Sequence, residues 1–162
     1  FRSTVPDVFI PKAGARIMDL QNPLAKMSKS AESEAGTIFL ADSAKVVEKK
    51  LKRAMTDSGT EIRFDKEHKP GICNLLSIQS ALTGTTIEDL VEQYQGKMYG
   101  HLKVETADIV NQELEPIRTR TQELLSDREE LSRILQKGAE QARNTASQTI
   151  SRIYDRIGFI LP

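Results

Sequence analysis

The sequence predicts a mainly α protein: a helical bundle over residues 42–162, preceded over residues 1–41 by the tail end of an α/β domain. Three observations carry this. After Asp42, apolar residues recur at three- and four-residue steps in about five segments, each closed by turn signals. Before residue 42 there is no such period, only a short extended stretch, a Pro turn and a polar loop. The 162 residues are 38% hydrophobic and 28% charged, which suits a folded chain with a sizeable core and argues against disorder.

Phe1 to Pro11 mixes β-branched and aromatic residues with Pro6 and Pro11, and reads as loop with at most a short extended piece. Gly14 to Leu20 is better strand material, with apolar Ala15, Ile17 and Leu20 around Arg16 and Asp19, but it is too short for its period to decide between strand and turn. Gln21 to Glu34 is polar, contains the Asn22-Pro23 turn, and reads as loop.

Asp42-Ser43 is an N-cap signal before Val46, Val47, Leu51 and Met55. Lys45, Lys49, Lys50, Lys52 and Arg53 fill the rest of that helix against one anion, Glu48. Two readings of these cations stay open, a solvated helix face and a stripe that faces a polyanion. Pro70-Gly71 opens a second helix that runs through Ile72, Leu75, Leu76, Ile78 and Leu82 and stops at Gly84. Thr86 caps a short third one, with Glu88 and Asp89 in its first turn. A longer helix starts near Tyr99 and contains Pro116, which removes a backbone donor and predicts a kink. Ser126 with Glu129 matches a capping box for the last helix, which has a small-residue seam at Gly138, Ala139, Ala142 and Ala146 and a stop at Gly158.

Composition removes several classes. No apolar run approaches the length of a membrane span, and no secretory signal pattern is visible. The lone Cys73 excludes an internal disulfide, fits a reducing compartment and a cytoplasmic location, and reads as a small core residue. His68 and His101 are isolated, so no metal site is expected. The P-loop and Gly-x-Ser-x-Gly patterns are absent. A net charge of zero leaves a local basic face free to meet nucleic acid.

The chemistry concentrates in Lys26-Met27-Ser28-Lys29-Ser30. Two ammonium groups on a flexible loop can converge on a triphosphate while the hydroxyls donate to its oxygens. A loop that tightens as charge moves toward pyrophosphate stabilises the transition state more than the ground state. On pattern alone this is a polar loop with a phosphate-binding option.

The same pentapeptide is the second signature of class I aminoacyl-tRNA synthetases; a chance match in a chain of this length is on the order of one in ten thousand. The flanks Gly14-Ala15-Arg16-Ile17-Met18-Asp19-Leu20, Lys69-Pro70-Gly71-Ile72-Cys73-Asn74-Leu75-Leu76 and Tyr99-Gly100 with Lys103 resemble the bacterial tryptophanyl branch of that family, over essentially the whole chain. The resemblance implies ATP-dependent activation of tryptophan as its adenylate, then transfer to tRNA(Trp). It implies that Lys26 and Lys29 are catalytic. Lys26, Ser28, Lys29 and Ser30 would hold the phosphates of ATP with Mg2+, while Ile17 and Met27 lie at the adenine. It makes residues 1–41 the terminal segment of a Rossmann-type catalytic domain and residues 42–162 an anticodon-binding domain. Lys49, Lys50, Lys52, Arg53 and Arg143 are candidates to face the tRNA, and the full enzyme is expected to be a homodimer.

The family's first ATP signature, most of its nucleotide-binding sheet and its tryptophan pocket are not in this sequence. The chain begins at Phe1 in what reads as a loop, so a C-terminal piece of a longer enzyme is expected, inactive alone, with its phosphate loop displaced or disordered. The competing expectations are a helical RNA- or protein-binding module without catalysis, and a class I synthetase of another amino-acid specificity.

Overall fold

The computed structural model describes residues 4–11, 14–31 and 33–160. Five α-helices lie along them: α1 (Ala44–Lys52), α2 (Pro70–Thr83), α3 (Ile87–Gln93), α4 (Tyr99–Ser126) and α5 (Arg128–Ile157). The stretch before Leu20, open between strand and turn in the sequence, makes one antiparallel bridge between Met18 and Lys26. The alternation there is too short to build a ladder from this chain alone.

Local chemistry accounts for most boundaries. Pro70 occupies the first turn of α2, where its missing N–H costs nothing, and Gly84 ends the helix in the left-handed region at φ 74°. Thr86 accepts a hydrogen bond from the Asp89 amide, as its capping role predicts. Gly158, at φ 77°, closes α5. Pro116 sits inside α4 without ending it. Two caps differ from expectation. Ser43 makes no side-chain cap bond; the neighbouring Asp42 carboxylate instead accepts from the Phe39 amide and the Lys50 ammonium. The cap of α5 is Asp127, which accepts from the Glu130 amide, while the Ser126 hydroxyl donates back to the Glu123 carbonyl. Both residues are capable caps, and the adjacent one won.

Residues Ile10–Arg118 form one compact unit. Its core gathers Val47 and Leu51 of α1, Ile72, Leu75, Leu76 and Ile78 of α2, Leu90 of α3 and Leu102, Ala107 and Val110 of α4, with Leu20 and Ile62 from the connecting segments. Each large side chain buried this way contributes about 1.5–3 kcal/mol against exposure. Cys73 is buried, as the sequence suggests.

A buried polar relay ties three of these elements. Gln79 of α2 donates to the Tyr94 hydroxyl at 2.9 Å and to the Thr106 hydroxyl at 2.8 Å, and Tyr94 donates to Glu105 at 2.6 Å. Fully partnered, such groups fix how helices register, which an apolar contact does not. A second node joins Lys69, just before α2, to the first residue of α4: its ammonium reaches Tyr99 at 2.6 Å and Asp57 at 3.0 Å, and Tyr99 donates to Asp57. Gly71 lets the start of α2 lie against the Met55–Thr56 backbone, because a β-carbon there would stand 2.1 Å from the Met55 carbonyl oxygen.

The other unit runs from Thr119 onward, together with residues 4–9. No residue of α5 is buried. Ile134, Leu135, Ile150 and Ile157 are exposed, and a β-carbon at Gly138 would meet nothing within 4 Å. The small-residue seam is therefore open. No described helix is long and apolar enough to cross a membrane.

Candidate functional site

The Lys/Ser loop begins as a tight ribbon. Asp19 turns the chain: its carboxylate accepts from the amides of Gln21 and Asn22, and the Ala25 amide closes onto the Asn22 carbonyl. The returning segment pairs with the outgoing one through Asp19 N–H to Ala25 at 2.9 Å and Met27 N–H to Ile17 at 3.0 Å. Lys26 thus lies opposite Met18, and Met27 beside Ile17. This brings together the residues that the sequence assigns to one nucleotide, Ile17 and residues 26–30.

Beyond the ribbon the chain turns on its hydroxyls. The Ser28 and Ser30 oxygens are 3.0 Å apart, the Ser28 oxygen accepts from the Ser30 amide, and the Ala31 amide reaches the Ser28 carbonyl. The loop is thus a hydrogen-bonded turn, and its anchors lie within the chain. Thr37 donates its hydroxyl to the Ser28 carbonyl at 3.0 Å. The Leu20 amide bonds to the Gly36 carbonyl, and the Leu20 carbonyl accepts from Met55 at 2.7 Å. Gly36 leaves no room for a side chain, because the Asp19 carboxylate fills that space at 2.0 Å from a β-carbon.

Lys26, Ser28, Lys29 and Ser30 are exposed, while Met27 is half-buried and packs on the core. Both ammonium groups stand in solvent above a fixed base. That arrangement can receive a polyphosphate without first breaking an internal ion pair, since no described acid bridges to Lys26 or Lys29 within the ion-pair distance.

The cations of α1 and of its C-terminal cap residue, Arg53, divide. Lys49, Lys52 and Arg53 are exposed, with Lys52 paired to Glu48 one turn away. Lys50 turns inward with its side chain only 12% exposed, bonds to the Thr37 carbonyl at 2.8 Å and to Asp42 at 2.7 Å, and stacks over the Phe39 ring. Its charge serves the far stem of the loop. Arg143 is exposed on α5, in the other unit. The sequence offered no sign of Lys50's direction; it is one lysine among several on a basic helix.

Similarity to known proteins bears on this site. A family profile described as class I tRNA synthetases (W and Y) matches residues 1–115. Tryptophan–tRNA ligase 2 of Streptomyces avermitilis is 53% identical over 157 residues, 97% of this chain and 47% of that protein. The crystal structure of tryptophanyl-tRNA synthetase from Mycoplasma pneumoniae superposes with a TM-score of 0.79 at 34% identity, covering 93% of this chain and 45% of that one. The Campylobacter jejuni enzyme, in a structure complexed with ADP and tryptophan, superposes at 0.60 with 30% identity, over 87% and 44% of the two chains. The chain spans about half the length of the curated relatives it matches.

Proposed function

Because this chain belongs to the family of class I tRNA synthetases for tryptophan and tyrosine, we propose that it supplies the ATP-phosphate loop and the anticodon-recognising helices of a tryptophan–tRNA ligase. The ligase joins tryptophan to ATP and passes the acyl group to tRNA(Trp). The observation that carries this reading is the pairing of Met18 with Lys26, which sets two solvent-facing ammonium groups next to the Ile17–Met27 ribbon.

In the first step the tryptophan carboxylate attacks the α-phosphorus of ATP. The bond from that phosphorus to the bridging oxygen breaks, and pyrophosphate leaves with the electron pair. Negative charge therefore grows on the leaving phosphates. Lys26 and Lys29 follow that charge, and the hydroxyls of Ser28 and Ser30 donate to phosphate oxygens. Mg2+ enters with ATP as part of the substrate. Ile17 and Met27 border the adenine through their backbone. The rest of the relatives' length would supply the tryptophan pocket and the remaining ATP contacts, so the 162 residues alone form no adenylate. In this reading residues 1–41 finish the catalytic domain and residues 42–162 form the tRNA-binding one, with Lys49, Lys52, Arg53 and Arg143 toward the RNA. The complete enzyme is a cytoplasmic homodimer.

The deciding experiment is Lys29→Ala in the complete enzyme, followed by tryptophan-dependent ATP–pyrophosphate exchange and by tryptophan binding. Exchange is expected to slow by about tenfold or more, with tryptophan affinity nearly unchanged, since the lost contact strengthens only as charge moves. An unchanged exchange rate removes Lys29 from the role. Exchange above background from the 162 residues by themselves overturns the division of labour.

A further inference from the structure

Asn74 is an odd member of α2. It is 4% exposed among Ile72, Cys73, Leu75 and Leu76, and a buried amide is costly unless each polar atom finds a partner. Both of its partners are on one residue 56 positions away. The Asn74 oxygen accepts from the Met18 amide at 2.8 Å, and the Asn74 nitrogen donates to the Met18 carbonyl at 2.8 Å.

The geometry of the ribbon explains why Met18 needs this. Ile17 and Asp19 turn their backbone groups toward the returning strand, where they meet Met27 and Ala25. Met18, between them, faces the opposite edge with its amide and carbonyl. An edge this short would ordinarily be left to water. Here one side chain takes the place of a third strand. Lys26 lies directly across from Met18, so the fork fixes the distance from α2 to the start of the Lys/Ser loop.

We propose that Asn74 is a positioning residue for the phosphate loop: its amide locks the Ile17–Met27 ribbon to α2, so that Lys26 and Lys29 meet the phosphates at a set height above the helical core. The proposal rests on the reading of the loop as an ATP-phosphate site. The bland alternative is a core amide that adds stability and nothing else.

Two measurements separate them, and one needs no ATP. In the unsubstituted chain, amide hydrogen exchange at Met18 is expected to match the interior amides of α2. Exchange at Met18 as fast as at the exposed Ser30 amide overturns the lock. In Asn74→Ala, Met18 and Met27 are expected to exchange at least tenfold faster relative to α2. The control Ile78→Ala, a core loss on the same helix, leaves that ratio alone; an equal change in both variants overturns the proposal. Should Asn74→Ala not fold, Asn74→Ser carries the test, because its small neutral hydroxyl is too short to reach both Met18 groups and is expected to raise exchange at Met18 and Met27 in the same direction.

In the complete enzyme, Asn74→Ala is expected to slow adenylate formation by about tenfold at saturating ATP, with tryptophan affinity unchanged and with Ile78→Ala near normal at a temperature where both are folded. Slowing by Ile78→Ala to the same degree, or none by Asn74→Ala, overturns the proposal. If the unsubstituted complete enzyme makes no adenylate, the functional reading fails on its own, and the exchange measurements still decide the lock.

Discussion

The Lys50 ammonium sits 2.8 Å from the Thr37 carbonyl, thirteen residues back along the chain, and 2.7 Å from Asp42. It is therefore a strut for the loop's outgoing stem, set in a helix whose other cations face water. Removing it strands a carbonyl and a carboxylate that are both mostly covered. Lys50→Met is expected to cost about 1–3 kcal/mol of stability. Lys49→Ala, one position away and exposed, should stay within about 0.5 kcal/mol. Urea unfolding of the two variants checks the contrast.

Two glycines should respond to alanine with opposite signs. At Gly71 the new methyl would overlap the Met55 carbonyl, which is backbone and cannot swing aside. The expected loss is about 1–3 kcal/mol, larger than the propensity gain of about 1 kcal/mol. At Gly138 the methyl meets open space in the middle of α5, so only the propensity gain remains. Thermal melts followed by circular dichroism should show Gly71→Ala falling and Gly138→Ala rising.

The relay at Tyr94 predicts a loss of stability at high pH. Burial, and then the bond to the Glu105 carboxylate, push the phenol well above its ordinary range, so the folded state holds a proton that the unfolded state releases. A group raised in this way contributes fully below the unfolded value of about 10 and loses its contribution as pH climbs past it. Tyr94→Phe should flatten the fall in stability above about pH 10 by up to about 1.4 kcal/mol per pH unit. Denaturant midpoints of the two proteins between pH 9 and 11 test this, and parallel curves would contradict it.

If α1 faces tRNA, its exposed cations should carry the salt dependence. Replacing Lys49, Lys52 or Arg53 by Ala in the complete enzyme is expected to lower the slope of log affinity against log salt by up to about 1 each. Lys50→Met should leave that slope unchanged, because its charge is already engaged inside the fold. Equal effects from all four would contradict the division between strut and surface.

What could be read in advance was whatever is local. Pro70, Gly84, Thr86 and Gly158 set boundaries through contacts within a turn, and the structure keeps each of them. The Lys/Ser loop was legible as a word, and its turn at Asn22-Pro23 as chemistry. Lys50 and Asn74 were not legible, because each acts by reaching a backbone group in a distant segment, and no period or spacing encodes such a bond. The cap of α5 was misplaced by one residue for a simpler reason: Ser126 and Asp127 are neighbours that can both cap. The exposure of α5 was hidden too, since an apolar stripe says what a helix can cover and not whether it is covered.

Cys73 adds a practical consequence. It is the only thiol in the sequence, it lies beside Asn74 in α2 at 5% exposure, and burial raises its pKa, so little thiolate is present to react. A maleimide dye added to the native chain should therefore find almost nothing to attack. The same chain carrying Ala31→Cys, on the loop's exposed shoulder, should take one dye at one place. The sheltered thiol thus leaves the surface clear for a single optical probe on the loop, and its own slow labelling clocks each opening of α2.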